Sequence, residues 1–426
     1  MSWRLKRALL ASIVVVAGLS GSAAAKTLLD VTSATIYGYD EEKFFFNYVS
    51  PQTRQTLRQY LQMDVDGWAK GWISLHAYGS GMYEMADEGP QGRDQLDLLY
   101  GYASLHLDKD DRILLNAGRM FRLVPPLPSY FDGAQLAVDQ GWLNLEVYGG
   151  WEVDPFHRTS TDIVLGGARS RFQVYDAITF GLSGFYSTRD SESDRGLAGV
   201  EGAVKLSEKV SAEAEVGYDY LLKILGDSLI AVRVDPTPAL SLGAGYTRRV
   251  PHSYLGKQSV FARFNLEALD DYSIDAIYRP RLGLSLNGGF HVLRTFADDS
   301  VEGRLGAGWS YGKNRANRIS LAYEVQSGFG DDAYAVRARW SQYVYETVVR
   351  AVFRGDYLVM NHDLPFFIQY REEERNLGAA FVGIDWALRE ELYLSVGGGV
   401  EWLETSERQL QGSVKLRYSF TNREEE

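Results

Sequence analysis

The chain has 426 residues, 44 Lys and Arg against 56 Asp and Glu, a formal net charge of −12, and no cysteine. The acidic balance argues against nucleic acid and against a polybasic hold on anionic lipid. The missing thiols exclude disulfides, thiolate metal centres, a lipidated N-terminal Cys and covalently attached c-type haem.

Tyr (27), Phe (19), Trp (9) and Gly (43) are abundant, and strand-forming residues dominate over any helical periodicity. Residues 1–25 read as an export leader: Arg4, Lys6 and Arg7, the apolar stretch Ala8–Leu19, then Ala23, Ala24 and Ala25 before Lys26. Removing its three cations takes the net charge from −12 to −15. After residue 25 no apolar run reaches the length of a spanning helix.

Residues 26–57 form an N-terminal lead, with a first strand expected near Thr32–Tyr39 and a polar-aromatic loop over Asp40–Pro51. Over residues 58–420 a period of two recurs. Leu61, Met63 and Val65 alternate with Gln62, Asp64 and Asp66; Val210, Ala212, Ala214, Val216 and Tyr218 alternate with Ser211, Glu213, Glu215 and Gly217. Near the end, Leu410, Val414, Leu416, Tyr418 and Phe420 alternate with Gln409, Gln411, Ser413, Lys415, Arg417 and Ser419.

Successive residues of a strand point to opposite faces, so each segment has one oily and one polar face. A soluble sandwich would need a second sheet over the oily face, whereas a closed barrel in lipid turns that face outward around a polar lumen. Three stretches share one design: Asp235–Tyr246, Tyr278–Phe290 and Leu388–Val400 each run from a tight polar turn through alternating aliphatics to glycine and an aromatic or branched residue. The unit is a hairpin.

Counting backward from Phe420 places short turns near Arg389–Glu391, Ser341–Tyr345, Gly312–Arg315, Pro280–Arg281, Pro236–Pro238 and Ser207–Lys209. The longer stretches Val250–Leu269 and Asn361–Arg375 fall at the other, outer end. The expected fold is all-β: a single transmembrane antiparallel up-and-down barrel of about 22 strands, range roughly 16–22, without a separate plug domain. Residues 421–426 are a polar tail.

Gly118-Arg119-Met120 followed by Tyr130-Phe131-Asp132-Gly133-Ala134 resembles the Gly-Arg-Gln and Phe-Asp-Gly-Val pattern of alginate-export-type porins. The stretch also resembles the porin-like barrels of porin–cytochrome conduits. Met120 stands where that family has Gln, and Ser129-Tyr130 replaces a basic residue. The terminal Leu416-x-Tyr418-x-Phe420 is similar to the signal recognised by the barrel assembly machinery, although Thr421–Glu426 follow it. The resemblance implies a bacterial outer-membrane location and either an open channel or a barrel around a partner.

Candidate lumen-lining residues are Arg337 and Arg339 on one strand, Arg350 and Arg354 on the next, with Glu324, Asp385, Glu401, Lys415 and Arg417. Rows of arginine can guide anions through a pore. Glu324, Asp356, Asp385 and Glu401 lie on the same or nearby strands, and pairing with them is the favoured expectation. Tyr254, Phe261, Phe264, Phe366 and Phe367 are apolar residues in the two longest outer stretches, candidates either to narrow the lumen or to pack on neighbouring loops.

The six histidines are scattered, without a local nucleophile elbow or paired metal motif, so no catalytic residue, metal or cofactor is assigned. Clustered aromatics such as Tyr218/Tyr220, Trp309/Tyr311 and Trp386 fit interfacial girdles. The expected function is a passive outer-membrane channel for small polar or charged solutes. The alternative is a sheath around a multihaem cytochrome, and a barrel enzyme is weaker still.

Overall fold

The computed structural model of the protein describes residues 28–42, 52–84, 95–124, 127–153, 159–251, 268–296, 298–328, 331–362, 373–403 and 409–421. The chain runs through β1 (Leu28–Glu42), β2 (Gln52–Gly67), β3 (Ile73–Glu84), β4 (Gln95–His106), β5 (Ile113–Val124), β6 (Leu127–Asp139), β7 (Leu143–Val153) and β8 (Thr159–Val174). It continues through β9 (Ile178–Arg189), β10 (Glu192–Ser207), β11 (Val210–Asp219), β12 (Ile224–Thr237), β13 (Leu240–Arg249), β14 (Leu269–Arg281) and β15 (Leu284–Arg294). The last strands are β16 (Asp299–Tyr311), β17 (Asn317–Gly328), β18 (Asp331–Tyr345), β19 (Val349–His362), β20 (Glu373–Ala387), β21 (Leu392–Leu403) and β22 (Gln409–Thr421).

Each strand pairs antiparallel with the next, and β22 pairs with β1 from Asp30↔Thr421 to Asp40↔Gln411. The 22-stranded sheet is therefore closed and has no edge. Along β22, Leu410, Val414, Leu416 and Tyr418 are exposed on one face, which is the outward face of a membrane barrel. The same alternation continues around the wall, through Ile178, Phe180 and Leu182 on β9, Ile319, Leu321 and Tyr323 on β17, and Val382, Ile384 and Trp386 on β20.

Two expectations are corrected. The barrel begins at Leu28, not near residue 58, because β1 is the strand that closes the sheet and β2 starts at Gln52. The turn expected over Ser341–Tyr345 lies beyond Tyr345, since β18 stays paired with β19 as far as Tyr345↔Val349. An outward cluster of Leu29, Val31 and Val65, with Leu61, Met63, Leu75 and Phe420 against it, lies along the closing seam.

The stretch that carries the family resemblance is one cross-strand unit. Gly118 faces Gly133, Arg119 faces Asp132, and Met120 faces Phe131; Gly133 in turn faces Gly150. These glycines sit where strands crowd together. A Cβ on Gly133 would run into the carbonyl oxygen of Gly149, and one on Gly150 into that of Asp132. Gly118 also has φ +133°, a conformation open mainly to glycine. The three glycines let neighbouring backbones approach where no side chain would fit.

On the inward face, Met120, Phe131, Tyr148, Leu165, Phe185 and Leu197 bury one another, with Tyr102 packed against them. On the outside, Arg119 donates to both carboxylate oxygens of Asp132 at 2.8 Å, and the Thr159 hydroxyl bonds the same carboxylate. Among the described residues the β4–β5 ladder has only six partners, ending at Gly101↔Arg119. Just past that end, Arg119 Nη1 donates to the Leu98 carbonyl at 3.0 Å. A guanidinium thus takes up a peptide group that the ladder leaves.

Gly133→Val is expected to abolish the folded, heat-modifiable band on a detergent gel, while Gly184→Ala, whose added Cβ meets nothing within 4 Å, folds normally. Arg119 and Asp132 are only 12% and 26% exposed, so Asp132→Ala leaves a shielded cation without its partner. That change is expected to cost about 3–5 kcal/mol in urea unfolding, and replacing both residues by Leu should cost less than the single change.

Candidate functional site: the lumen wall

The inward face differs by sector. On β17–β20 the register brings Ser320, Arg339, Arg354 and Phe381 into one row across the wall. Arg337 bonds Glu324 at 2.9 Å, and Arg350 bonds Asp385 at 2.6 Å. Arg339 and Arg354 face each other directly, and neither forms an ion pair among the described residues. Like charges placed directly opposite oppose pairing of the strands.

Asp356 lies opposite Arg337 but forms no ion pair among the described residues. Glu401 faces Ala379 and Gln409 rather than an arginine. Lys415 and Arg417 are exposed on the inward face of β22, opposite Ile36 and Ala34. Tyr254, Phe261, Phe264, Phe366 and Phe367 lie outside the described residues.

Around the inward apolar cluster the wall is held by ion pairs. Arg169 and Arg171 converge on Glu201, with Arg169 making bonds of 2.9 and 2.6 Å to its two oxygens. Arg195 bonds Glu152 at 2.6 Å and lies 5.4 Å from the centre of the Phe185 ring. A recess of about 700 Å³ opens between β9 and β14. Small side chains such as Ala203, Ser211, Ala231 and Gly243 form its floor, beside Lys205, Glu213, Arg233 and Asp275.

The structure also brings together histidine partners that sequence reasoning missed. His76 Nδ1 lies 2.8 Å from Asp64, and His291 Nδ1 lies 3.0 Å from Asp271. His106 sits between Ser74, 2.9 Å from Nε2, and Asp111, 2.7 Å from Nδ1. A serine, a histidine and an aspartate in that order are the parts of a hydrolase. Here, however, Ser74 is 3% exposed and is paired within β3 with Ser104, rather than standing on a projecting turn. Asp111 adopts φ 57°, so this row ties the β4–β5 turn to the wall.

No protein-family model matches the chain, and no curated protein matches it. Solved barrels do. The translocation pore of the P pilus usher PapC aligns over 92% of this chain and 99% of that chain, at 8% identity and TM-score 0.51. An Escherichia coli P pilus tip assembly intermediate, PapC-PapD-PapK-PapG, aligns over 92% of this chain and 61% of that chain, at 10% identity and TM-score 0.56. Pseudomonas aeruginosa OpdQ aligns over 94% of this chain and all of that chain, at 11% identity and TM-score 0.46.

At such identities the likeness is one of fold. The usher pore and this chain share a closed antiparallel barrel, and with 22 strands and an apolar outer face the chain has the architecture of a transmembrane β-barrel.

A fluorophosphonate probe is expected to leave the purified protein unlabelled. Labelling that disappears in Ser74→Ala and His106→Ala would instead show a working nucleophile.

Proposed function

We propose that the chain is an outer-membrane channel for passive diffusion of small polar or charged solutes, reached after export and cleavage of residues 1–25. The observation that carries this reading is the inward face. It is lined by hydrogen-bonding and charged groups on every strand from β17 to β22, and Arg339 and Arg354 offer guanidinium groups that no described carboxylate neutralises. In such a wall Arg337 and Arg350 are held by their acids, while Arg339 and Arg354 remain to meet a passing anion.

Leu416, Tyr418 and Phe420 line the outer side of the strand that closes the barrel. That position supports their reading as the signal for the barrel assembly machinery, with membrane lipid as the neighbour of the finished wall.

A second reading, a sheath around a multihaem cytochrome, draws support from the small-residue recess between β9 and β14, which leaves room against the wall for a partner. Purification from the native membrane separates the two: stoichiometric haem protein indicates the sheath, a colourless single species the channel.

In planar bilayers the mature protein is expected to give steady single-channel steps. Arg339→Ala combined with Arg354→Ala should move the reversal potential in a salt gradient toward cation preference without closing the channel. An unchanged reversal potential would remove these arginines from selectivity, and a barrel that gives no steps would overturn the channel reading.

A further inference from the structure

The inward face of β2, β3 and β4 carries five rings in an unbroken strip. Ring centres are separated by 6.3 Å from Tyr60 to Tyr78, 5.6 Å from Tyr78 to Tyr100, 6.1 Å from Tyr100 to Tyr102, and 4.9 Å from Tyr102 to His76. The ladder fixes this order, since Tyr78 faces Tyr100 and His76 faces Tyr102. Next to the terminal His76, Tyr102 is anchored against the inward apolar cluster. All five rings are half-buried, so each retains surface toward the lumen.

Polar groups flank the strip on one side. The Gln62 amide donates to Asp64 at 2.9 Å, and the same carboxylate holds His76. Among the described residues the hydroxyls of Tyr60, Tyr78 and Tyr100 form no hydrogen bond. Asp30, Asp64 and Asp66 face the lumen here, with Arg58 beyond Tyr60 at the other end. Elsewhere the wall is different: β11–β14 present Ser211, Ala231, Gly243, Gly245 and Ser273.

Several aromatic faces in a row, edged by amide, carboxylate and phenol groups, match a ligand with flat C–H faces and hydroxyls around its rim. A pyranose ring is such a ligand, and the spacing between the tyrosines is comparable to the length of one sugar unit. A purely apolar solute would leave the polar edge unmatched. The three carboxylates repel an acidic sugar.

We propose that Tyr60, Tyr78, Tyr100 and Tyr102 form a binding strip for neutral oligosaccharides on the lumen wall, with Gln62 and Asp64 bonding the hydroxyls. The proposal rests on the lumen being open to solute, as in the channel reading.

The test uses the mature full-length protein in planar bilayers, with maltohexaose as the neutral probe and a hexameric galacturonate as the acidic one. Maltohexaose is expected to interrupt the current of the wild type in resolvable events, and the galacturonate is not. Tyr78→Ala with Tyr100→Ala should shorten the events by about tenfold or more, while the two Phe replacements, which keep the rings and guard against misfolding, should preserve most of the residence time. Absence of events in the wild type, events unchanged in the Ala variant, or stronger interruption by the galacturonate would each overturn the strip.

If the protein gives no conductance, the channel reading fails by itself. The strip is then read by titration calorimetry in detergent: maltohexaose heat that vanishes in the Ala variant supports it, and no heat in the wild type overturns it.

Discussion

A peptide group facing hydrocarbon without a hydrogen-bond partner costs several kcal/mol, and an open sheet presents a column of them at each edge. The eleven partners between β1 and β22 remove both edges at once. Closure explains why the first strand cannot be a dispensable lead, and why Phe420 packs with Val31 and Met63 at the seam. Among the described residues the shortest ladder is that of β4–β5. Where that ladder stops after six partners, an arginine from the next strand reaches over to the Leu98 carbonyl.

The same few residues shape both sides of the wall. Gly118, Gly133 and Gly150 remove side chains where neighbouring strands leave no room for a Cβ. On the inward side Met120 and Phe131 pack against Tyr148 and Leu165 in a compact apolar patch. On the outward side Arg119 and Asp132 neutralise each other as directly opposed residues. A charge facing outward in a membrane barrel is costly where it meets hydrocarbon, and a bidentate pair further bonded by Thr159 lowers that cost by neutralising the charge.

What the sequence made legible is local. Alternation at period two depends only on neighbouring residues, and so do the short turns, which is why the wall, the orientation of β22 and the turns after β10, β12, β14, β16 and β20 could be read directly. The first strand was legible over Thr32–Tyr39, within the longer β1, although Ser33 and Thr35 on its outward face blur the oily pattern. In the barrel these two find Gln59 on β2, at 2.7 Å for Ser33 and also through the Thr35 hydroxyl. The turn after β18 was displaced because Tyr343 keeps a partner for its N–H in the Asn317 side chain.

The inward chemistry depended on register, which alternation does not specify. Glu324 and Asp385 were identifiable as partners for nearby arginines, but not that Arg339 would be set against Arg354. The histidine partners lie 12, 5 and 20 positions away in the chain, and one of them requires Asp111 to take up a left-handed conformation.

A barrel of this many strands encloses a wide lumen, and that width changes what a wall charge can do. At physiological salt a fixed charge is screened over about 8 Å, so in the proposed channel Arg339 and Arg354 would act on solutes that come close to β18 and β19 and much less on the far wall. The same would hold more strictly for the proposed tyrosine strip, whose contacts are of van der Waals range. Selection in the proposed channel would therefore be by sector: a basic row, an aromatic strip and a small-residue recess would each engage the solutes that touch them. A solute that touches none of them meets mainly water.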